Sequence, residues 1–339
     1  TFLACTQLPP VLKESMARPL GSTVSRVALR RCRTGLALPS SRSHLRFCST
    51  AESSAFLLDI SVNLTFLHQK SAKERLVFHS QPPGSPPVTW PGVYDRREVT
   101  LSDARGDAAL KSRELGPRLV RLDQETLDAL VKAENSHEGG AGKAEREAMR
   151  AVEHALRREL GATTVRAFDV TLRTDDLGAM AARGMRERAE HVHNDFTPSS
   201  ARTRITDVLA KADMDPEQLL REHRVAIVNL WAPMIPVVER SPLAVCDPRT
   251  VHAADLVPME RRAPGRTGEA QRVLYSAGQR WLWWPAMRRG EALLFSTFDT
   301  KDLLSRAAGA TPHTAFDDPS CPKDAPPRES IEVRAVVVF

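Results

Sequence analysis

Residues 191–195 of the chain read His-Val-His-Asn-Asp, so that His193 and Asp195 stand two positions apart. Side chains at i and i+2 of an extended strand point to the same face, so this imidazole and this carboxylate can reach one metal ion together. A second histidine, His313, follows in the stretch Pro-His-Thr. Two histidines and one carboxylate form a facial triad that leaves coordination positions open, as in non-haem Fe(II) oxygenases. The sequence therefore predicts an iron site made by His193, Asp195 and His313.

A lone His-x-Asp motif is a weak signal in a chain with 10 histidines. The order of the motifs strengthens it, because Arg328-Glu329-Ser330 follows His313 by 15 positions (328 minus 313). An arginine binds a carboxylate through two parallel hydrogen bonds. Arg328 and Ser330 are therefore predicted to anchor the far carboxylate of a 2-oxoglutarate cosubstrate.

Two features of the motif allow alternatives. His191 lies on the same face as His193 and Asp195 if the segment is extended, so it either replaces His193 as a ligand or lines the pocket. The interval from Asp195 to His313 is 118 positions (313 minus 195), which predicts an insertion between the two metal-bearing strands. Residues 202–222, with two short helical patterns, are the candidate insertion.

The hydrophobic pattern around these motifs predicts an α+β fold. The clearest helix covers residues 143–160, where Met149, Val152, Leu156 and Leu160 form an apolar stripe that ends before Gly161. From Val165 onward short apolar and β-branched runs predict strands. These strands cover residues 165–172, 225–231, 243–246, 272–275, 281–284, 292–298 and 331–339, and an earlier alternating run covers residues 56–64. Many short strands with helices gathered in the first half indicate a double-stranded β-helix (jelly roll) core with flanking helices.

The charge of the chain is concentrated near its beginning. The net charge is +6, but residues 16–50 hold seven arginines and no acidic residue, which leaves about −1 for residues 51–339 (6 minus 7, with Lys13 and Glu14 cancelling). Residues 1–50 are predicted to be a leader, either a mitochondrial transit peptide or a stretch joined to the gene by error, and residues 51–339 a single jelly-roll domain. Depending on the leader, the expected location is cytoplasmic or mitochondrial.

The near-neutral body gives no reason to expect a nucleic-acid partner. No apolar run approaches the eighteen or so residues of a membrane span. Only Cys246 and Cys321 lie beyond the leader, and two distant thiols make neither a disulfide framework nor a zinc knuckle. The expected partners are a small-molecule substrate and O2.

Three stretches of the sequence resemble the fungal and bacterial hydroxylase/desaturase family of Fe(II)/2-oxoglutarate-type oxygenases, which includes the cephalosporin 7-alpha-hydroxylase component and gibberellin desaturase-like proteins. They are the stretch from His193 to Ser200, the segments around Asn229-Leu230-Trp231-Ala232-Pro233 and Ser241-Pro242-Leu243, and the C-terminal part with Pro312-His313-Thr314 and Pro327-Arg328-Glu329-Ser330. The resemblance covers about residues 85–339.

The resemblance implies a jelly roll, Fe(II) and 2-oxoglutarate as cofactors, and hydroxylation or desaturation of a small secondary metabolite. It places the iron ligands at His193, Asp195 and His313 and the cosubstrate anchor at Arg328 and Ser330, with Arg334 as a substitute for Arg328. The chain departs from the family at Ala232, where an arginine is usual.

Five side chains are candidates for the substrate pocket, although core packing is the commoner role of any one buried aromatic residue. They are His191, Asn229, Trp231, Tyr275 and Trp284. Two other functions stay open at this point, a methyltransferase-associated protein and a catalytically inactive jelly-roll protein that binds a ligand. No strand followed by a glycine-rich turn of the kind that holds S-adenosylmethionine is found, and the complete triad argues against inactivity.

Overall fold

Two curled, mainly antiparallel sheets lie against each other and enclose the residues of the predicted iron site. The computed structural model describes residues 59–79, 90–107, 115–136, 142–263, 265–302 and 307–339. These belong to one compact unit, Ala55–Phe339. The predicted leader, residues 56–58 of the first predicted strand and the proline-rich run at 81–87 lie outside the described residues. The α+β class and the jelly-roll core predicted from the sequence are confirmed.

The larger sheet, sheet A, has nine strands in the order β1-β3-β12-β9-β14-β7-β11-β10-β2. Their bounds are Ile60–Leu67 (β1), Leu76–His79 (β2), Tyr94–Asp103 (β3), His193–Asn194 (β7), Leu243–Cys246 (β9), Leu256–Ala263 (β10), Arg266–Val273 (β11), Trp281–Trp283 (β12) and His313–Ala315 (β14). Sheet B has six strands in the order β4-β13-β8-β15-β5-β6. Their bounds are Arg118–Arg121 (β4), Thr164–Thr174 (β5), Arg186–Glu187 (β6), Val225–Pro233 (β8), Glu291–Asp299 (β13) and Glu329–Val338 (β15).

Helices flank the sheets, and the longest of them confirms the helix predicted at 143–160. Their bounds are Gln124–Asn135 (α1), Lys143–Leu160 (α2), Leu177–Arg183 (α3), Pro198–Ala210 (α4) and Pro216–Glu222 (α5). Helix α2 ends because Gly161 takes a left-handed conformation (φ 62°) that costs other residues energy. Helices α4 and α5 occupy the predicted insertion. Among the described residues, no helix is long and apolar enough to cross a membrane.

An extensive apolar layer covers the outer face of sheet B. Alternate residues of β15 (Ile331, Val333) and of β8 (Val228, Leu230) are buried there against Val152 and other residues of α1 and α2. Side chains alternate between the faces of a strand, so the intervening residues of β8 and β15 must point into the barrel. Ala232 belongs to the outer layer. The departure from the family at this position therefore leaves the interior unchanged.

The interior of the barrel is apolar at one end and polar at the other. In the apolar part, side chains of both sheets meet, among them Trp231, Leu293 and Phe295 from sheet B and Val245 from sheet A. In the polar part, the inner face of β15 presents Ser330, Glu332 and Arg334, which pair in register with Arg173, Thr171 and Asp169 of β5. Polar groups enclosed beside apolar ones are typical of a small-molecule site.

Some strands differ from the sequence-based prediction. Strand β11 covers Arg266–Val273 instead of 272–275, because its polar first half pairs along the full length of β10. Strand β10 was not predicted, since it contains Pro258 and the exposed Arg261. The strand that carries His193, β7, is only two residues long and has no apolar pattern of its own.

Candidate active site

The three predicted metal ligands lie together in the barrel. His193 in β7 and His313 in β14 are register partners on neighbouring strands, and Asp195 follows β7 directly. One ligand atom of each residue lies within 4.8 Å of the others, and His193 Nε2 is 3.9 Å from Asp195 Oδ1. The side chains are largely enclosed, with 13% of His193 and 7% of Asp195 exposed. This spacing suits one divalent ion bound by two imidazoles and a carboxylate.

Hydrogen bonds to the backbone orient both imidazoles. The Nδ1 atom of His193 lies 2.8 Å from the carbonyl oxygen of His191, and that of His313 lies 3.0 Å from the carbonyl oxygen of Thr311. A carbonyl oxygen only accepts, so each Nδ1 carries the proton and each Nε2 keeps its lone pair toward the triad. Burial and the neighbouring His313 also hold the pKa of His193 well below its ordinary value. The ring is therefore neutral, as a metal ligand requires.

Two side chains of sheet B hold the carboxylate of Asp195. Asn229 Nδ2 donates to Asp195 Oδ2 at 2.7 Å, and Arg334 Nε donates to the same oxygen at 2.9 Å. Burial alone would raise the pKa of Asp195, but the charge of Arg334 and the hydrogen bond from Asn229 lower that pKa below its usual range. The carboxylate is thus ionised and fixed in orientation before a metal arrives.

Arg334 is committed to these acids and is not available as a cosubstrate anchor. Besides Asp195 it pairs with Asp169 and with Glu332. Its predicted role as a substitute for Arg328 therefore has no support in the contacts. No local pattern in the sequence indicates its contact with Asp195, because the two residues lie 139 positions apart.

Arg328 has the environment expected of a carboxylate anchor. It is 1% exposed, and its Nη1 donates to the carbonyl oxygen of Ser241 at 3.2 Å, whereas Nε and Nη2 have no hydrogen-bond partner. Its Cζ lies 5.9 Å from the centre of the Trp231 ring. Ser330, two positions further on, is also 1% exposed. A buried guanidinium with unmet donors is costly, so the site fits a bound anion such as a carboxylate.

His191 lies beside the triad and outside it. Its ring packs against Tyr94 and Trp90, with centroid distances of 4.4 Å and 5.5 Å. Burial and the nearby charge of Arg272 lower its pKa to about 4. Its contribution to the triad is the carbonyl oxygen that orients His193.

The other pocket candidates differ in position. Trp231 and Trp284 are buried in the apolar half of the interior together with Phe295, whose ring lies 5.0 Å from that of His313. Asn229 contacts a predicted ligand instead of open space. Tyr275 is 37% exposed and packs on Phe66 outside this interior cluster, so the structure does not bring it to the triad.

We expect the Asn229→Ala variant to bind Fe(II) about 10–100-fold more weakly, because loss of a residue that orients a metal ligand typically has an effect of this size. Anaerobic calorimetric titration of the purified protein with Fe(II) measures the affinity. Asn63→Ala, in an exposed position of β1, serves as the matched control. Equal affinity of the Asn229→Ala and control proteins would contradict the assigned contact.

Comparison with known proteins agrees with this arrangement. A family model described as the oxidoreductase/YMDC permease-like domain matches residues 64–338, and the chain belongs to this family. Among solved structures, the iron and alpha-ketoglutarate-dependent endoperoxidase NvfI superposes with a TM-score of 0.68 at 25% identity, over 83% of this chain and 98% of that one. The fold is therefore that of an iron-dependent jelly-roll oxygenase.

Curated relatives are similar over shorter stretches. The hydroxylase/desaturase asaB of Aspergillus flavus is 42% identical over 139 residues, which are 37% of this chain and 60% of the relative. The Fe(II)/2-oxoglutarate-dependent dioxygenase nvfI of Aspergillus novofumigatus is 34% identical over 44% of this chain and 52% of its own length. The alpha-ketoglutarate-dependent dioxygenase phiK of a fungal species is 28% identical over 72% and 90%. The chain thus spans little more than half of the first two relatives.

Proposed function

We propose that this protein is an Fe(II)/2-oxoglutarate-dependent dioxygenase that hydroxylates or desaturates a small metabolite. The observation that carries the proposal is the triad His193, Asp195 and His313 in the same barrel as the buried, partly unpaired guanidinium of Arg328. A metal site and an anion site together are what a cosubstrate with a 2-oxo acid group and a far carboxylate needs. The names of the similar fungal proteins support the same activity.

The residues of the site have distinct roles in this proposal. His193, Asp195 and His313 would hold Fe(II), and Arg328 with Ser330 would hold the far carboxylate of 2-oxoglutarate. When bound, Fe(II) and 2-oxoglutarate supply the oxidising power, as O2 is reduced while the cosubstrate loses CO2 and becomes succinate. One carboxylate and two neutral imidazoles keep the charge of the ligand set low.

The apolar half of the interior determines what else reaches the metal. Phe295 contacts His313, and Trp231 and Trp284 pack in the same cluster, so the wall on this side of the site excludes water. A dry pocket orients one C–H bond of the substrate and suppresses side reactions. A small molecule with an apolar body fits such a wall.

The two alternative functions are less well supported. A methyltransferase-associated role has no counterpart among the similar proteins named above. A catalytically inactive binding protein would not need Asn229 and Arg334 to hold Asp195 in a ligand orientation. The complete ligand set together with Arg328 favours catalysis.

The proposal predicts slow, iron-dependent release of succinate from 2-oxoglutarate even without a substrate. The protein is purified without O2, loaded with Fe(II) and 2-oxoglutarate, exposed to O2 and assayed for succinate, with chelator-treated protein as the control. Addition of fractionated metabolite extracts should then raise the rate and identify the substrate. Succinate formation that is absent, or equal with and without iron, would overturn the proposal.

A further inference from the structure

Three arginines gather on the inner faces of the two sheets, on the Asp195 side of the triad. Arg173 in β5 is the register partner of Ser330 and therefore points into the barrel, as Ser330 does. Arg186 in β6 is the register partner of Arg173. Arg261 in β10 lies opposite Phe78, with its Cζ 5.9 Å from the centre of that ring. We call Arg173, Arg186 and Arg261 the arginine cluster.

The arginine cluster lacks acidic partners. Arg173 donates from Nη1 to the backbone oxygen of Glu187 at 2.8 Å. Within the part of the chain that the structure describes, no carboxylate lies within ion-pair distance of any of the three guanidinium groups. Like charges on directly paired residues destabilise a sheet, so the placement of Arg173 beside Arg186 is costly without an anion between them.

Many arginines elsewhere in the protein differ from the cluster because they have acidic partners. Ion pairs with a carboxylate satisfy many of them, among them Arg75, Arg97, Arg105, Arg158, Arg183, Arg188, Arg224, Arg249, Arg262, Arg280 and Arg334. Glu332 and Asp195, whose charges act on Arg173, are both bound by Arg334. Neither acid forms an ion pair with a guanidinium group of the arginine cluster.

The charges of the cluster are felt at the triad. The positive charges of Arg334, Arg173 and Arg186 lower the pKa of Arg261, and the negative charge of Asp195 raises it. Burial lowers the pKa of Arg173, which Arg334 and Arg186 lower further and Glu332 raises. The guanidinium groups are therefore close enough for their charges to act on one another and to feel the charge of Asp195. Arg261 and Arg186 are exposed and Arg173 is half-buried, so the cluster is open to a ligand.

We propose that the arginine cluster binds an oxyanion group of the organic substrate, so that the oxidised metabolite is an acid with a carboxylate or a phosphate. Several guanidinium donors match the geometry of either group. Arg328 lies outside the cluster, whereas Arg173 is the register partner of Ser330, so the substrate anion would lie beside the far carboxylate of the cosubstrate. The assignment of the bound anion to a substrate rests on the proposed function, whereas the anion site itself does not.

Matched probes test the proposal. Hexanoate, hexyl phosphate and hexanamide, and 1-naphthaleneacetate, 1-naphthyl phosphate and 1-naphthaleneacetamide, are titrated calorimetrically into the protein loaded with Fe(II) and 2-oxoglutarate without O2. An anion of at least one series should bind tenfold or more tightly than its amide, and the better of carboxylate and phosphate identifies the acid group. The Arg173→Gln/Arg261→Gln double variant should lose this preference.

The control removes the same charge elsewhere. Arg202→Gln/Arg221→Gln changes two exposed arginines of α4 and α5 and should keep the anion preference. Thermal unfolding shows whether each variant is folded. No anion preference in the wild type, or an equal preference in the Arg173→Gln/Arg261→Gln protein, overturns the proposal.

The same titrations separate this proposal from the proposed function. If the wild type releases succinate in the presence of iron but shows no anion preference, only the arginine cluster is misassigned. If it binds anions through the cluster but forms no succinate, the anion site stands and the dioxygenase activity fails. Arg328→Gln should weaken 2-oxoglutarate binding and leave the preference for the acid probes in place.

Discussion

The His313→Ala variant is expected to bind Fe(II) at least about 100-fold more weakly than the wild type and to lose iron-dependent succinate formation, since loss of a ligand exceeds the 10–100-fold effect of losing a supporting residue. His313 supplies one of the two imidazoles of the triad, and its Nδ1 is already occupied by the carbonyl oxygen of Thr311, so only Nε2 can bind metal. With it removed, the ligand set falls to one histidine and one carboxylate.

Metal content after anaerobic loading and desalting, measured by atomic emission, checks this expectation. His154→Ala, at an exposed position of helix α2, removes a histidine without touching the triad and should bind iron like the wild type. A cooperative thermal transition shows that the His313→Ala protein is folded. Retention of iron and of full turnover in a folded His313→Ala protein would refute the metal site.

The Arg328→Met variant is expected to show two opposite effects. Affinity for 2-oxoglutarate should fall about 30-fold or more, because truncating one partner of a buried charge pair costs about 2–5 kcal/mol. Without 2-oxoglutarate the variant should be more stable than the wild type by about 1–3 kcal/mol, because the wild type buries a guanidinium with two unmet donors.

Unfolding in denaturant with and without 2-oxoglutarate measures both effects. A ligand that binds only the folded state stabilises it, so added 2-oxoglutarate should stabilise the wild type and leave Arg328→Met unchanged. Arg221→Met, on an exposed helical position, is the control for loss of charge. If Arg328→Met responds to 2-oxoglutarate as the wild type does, the anchor lies elsewhere.

The fold could be predicted from the sequence where a local pattern decides the structure. The helix at Lys143–Leu160 matched its prediction because an apolar stripe and a terminal glycine suffice to define a helix. Strand β8 matched as well, since all nine of its residues are buried and read as an apolar run. The hydrophobic pattern of the sequence does not reveal strands β7 and β10, because pairing with neighbouring strands stabilises them.

Some residues of the candidate site could likewise be predicted from the sequence, and others could not. His193, Asp195, His313 and Arg328 stood out because their residue types and order point to one chemistry. The contacts of Asn229 and Arg334 with Asp195 could not be foreseen, since they connect residues 34 and 139 positions apart and depend on the pairing of β8 with β15. The arginine cluster was missed because its members lie on three strands of two sheets.

Strand β15 carries two incompatible sets of side chains on its two faces. Ile331 and Val333 fill the apolar layer against the helices, while Glu332 and Arg334 point into the barrel. A shift of its pairing by one residue would exchange the two sets and drive both charges into the layer around Val152. The charged residues of the site thus also disfavour closure of the barrel in the wrong register, because that register would bury Glu332 and Arg334 in an apolar layer.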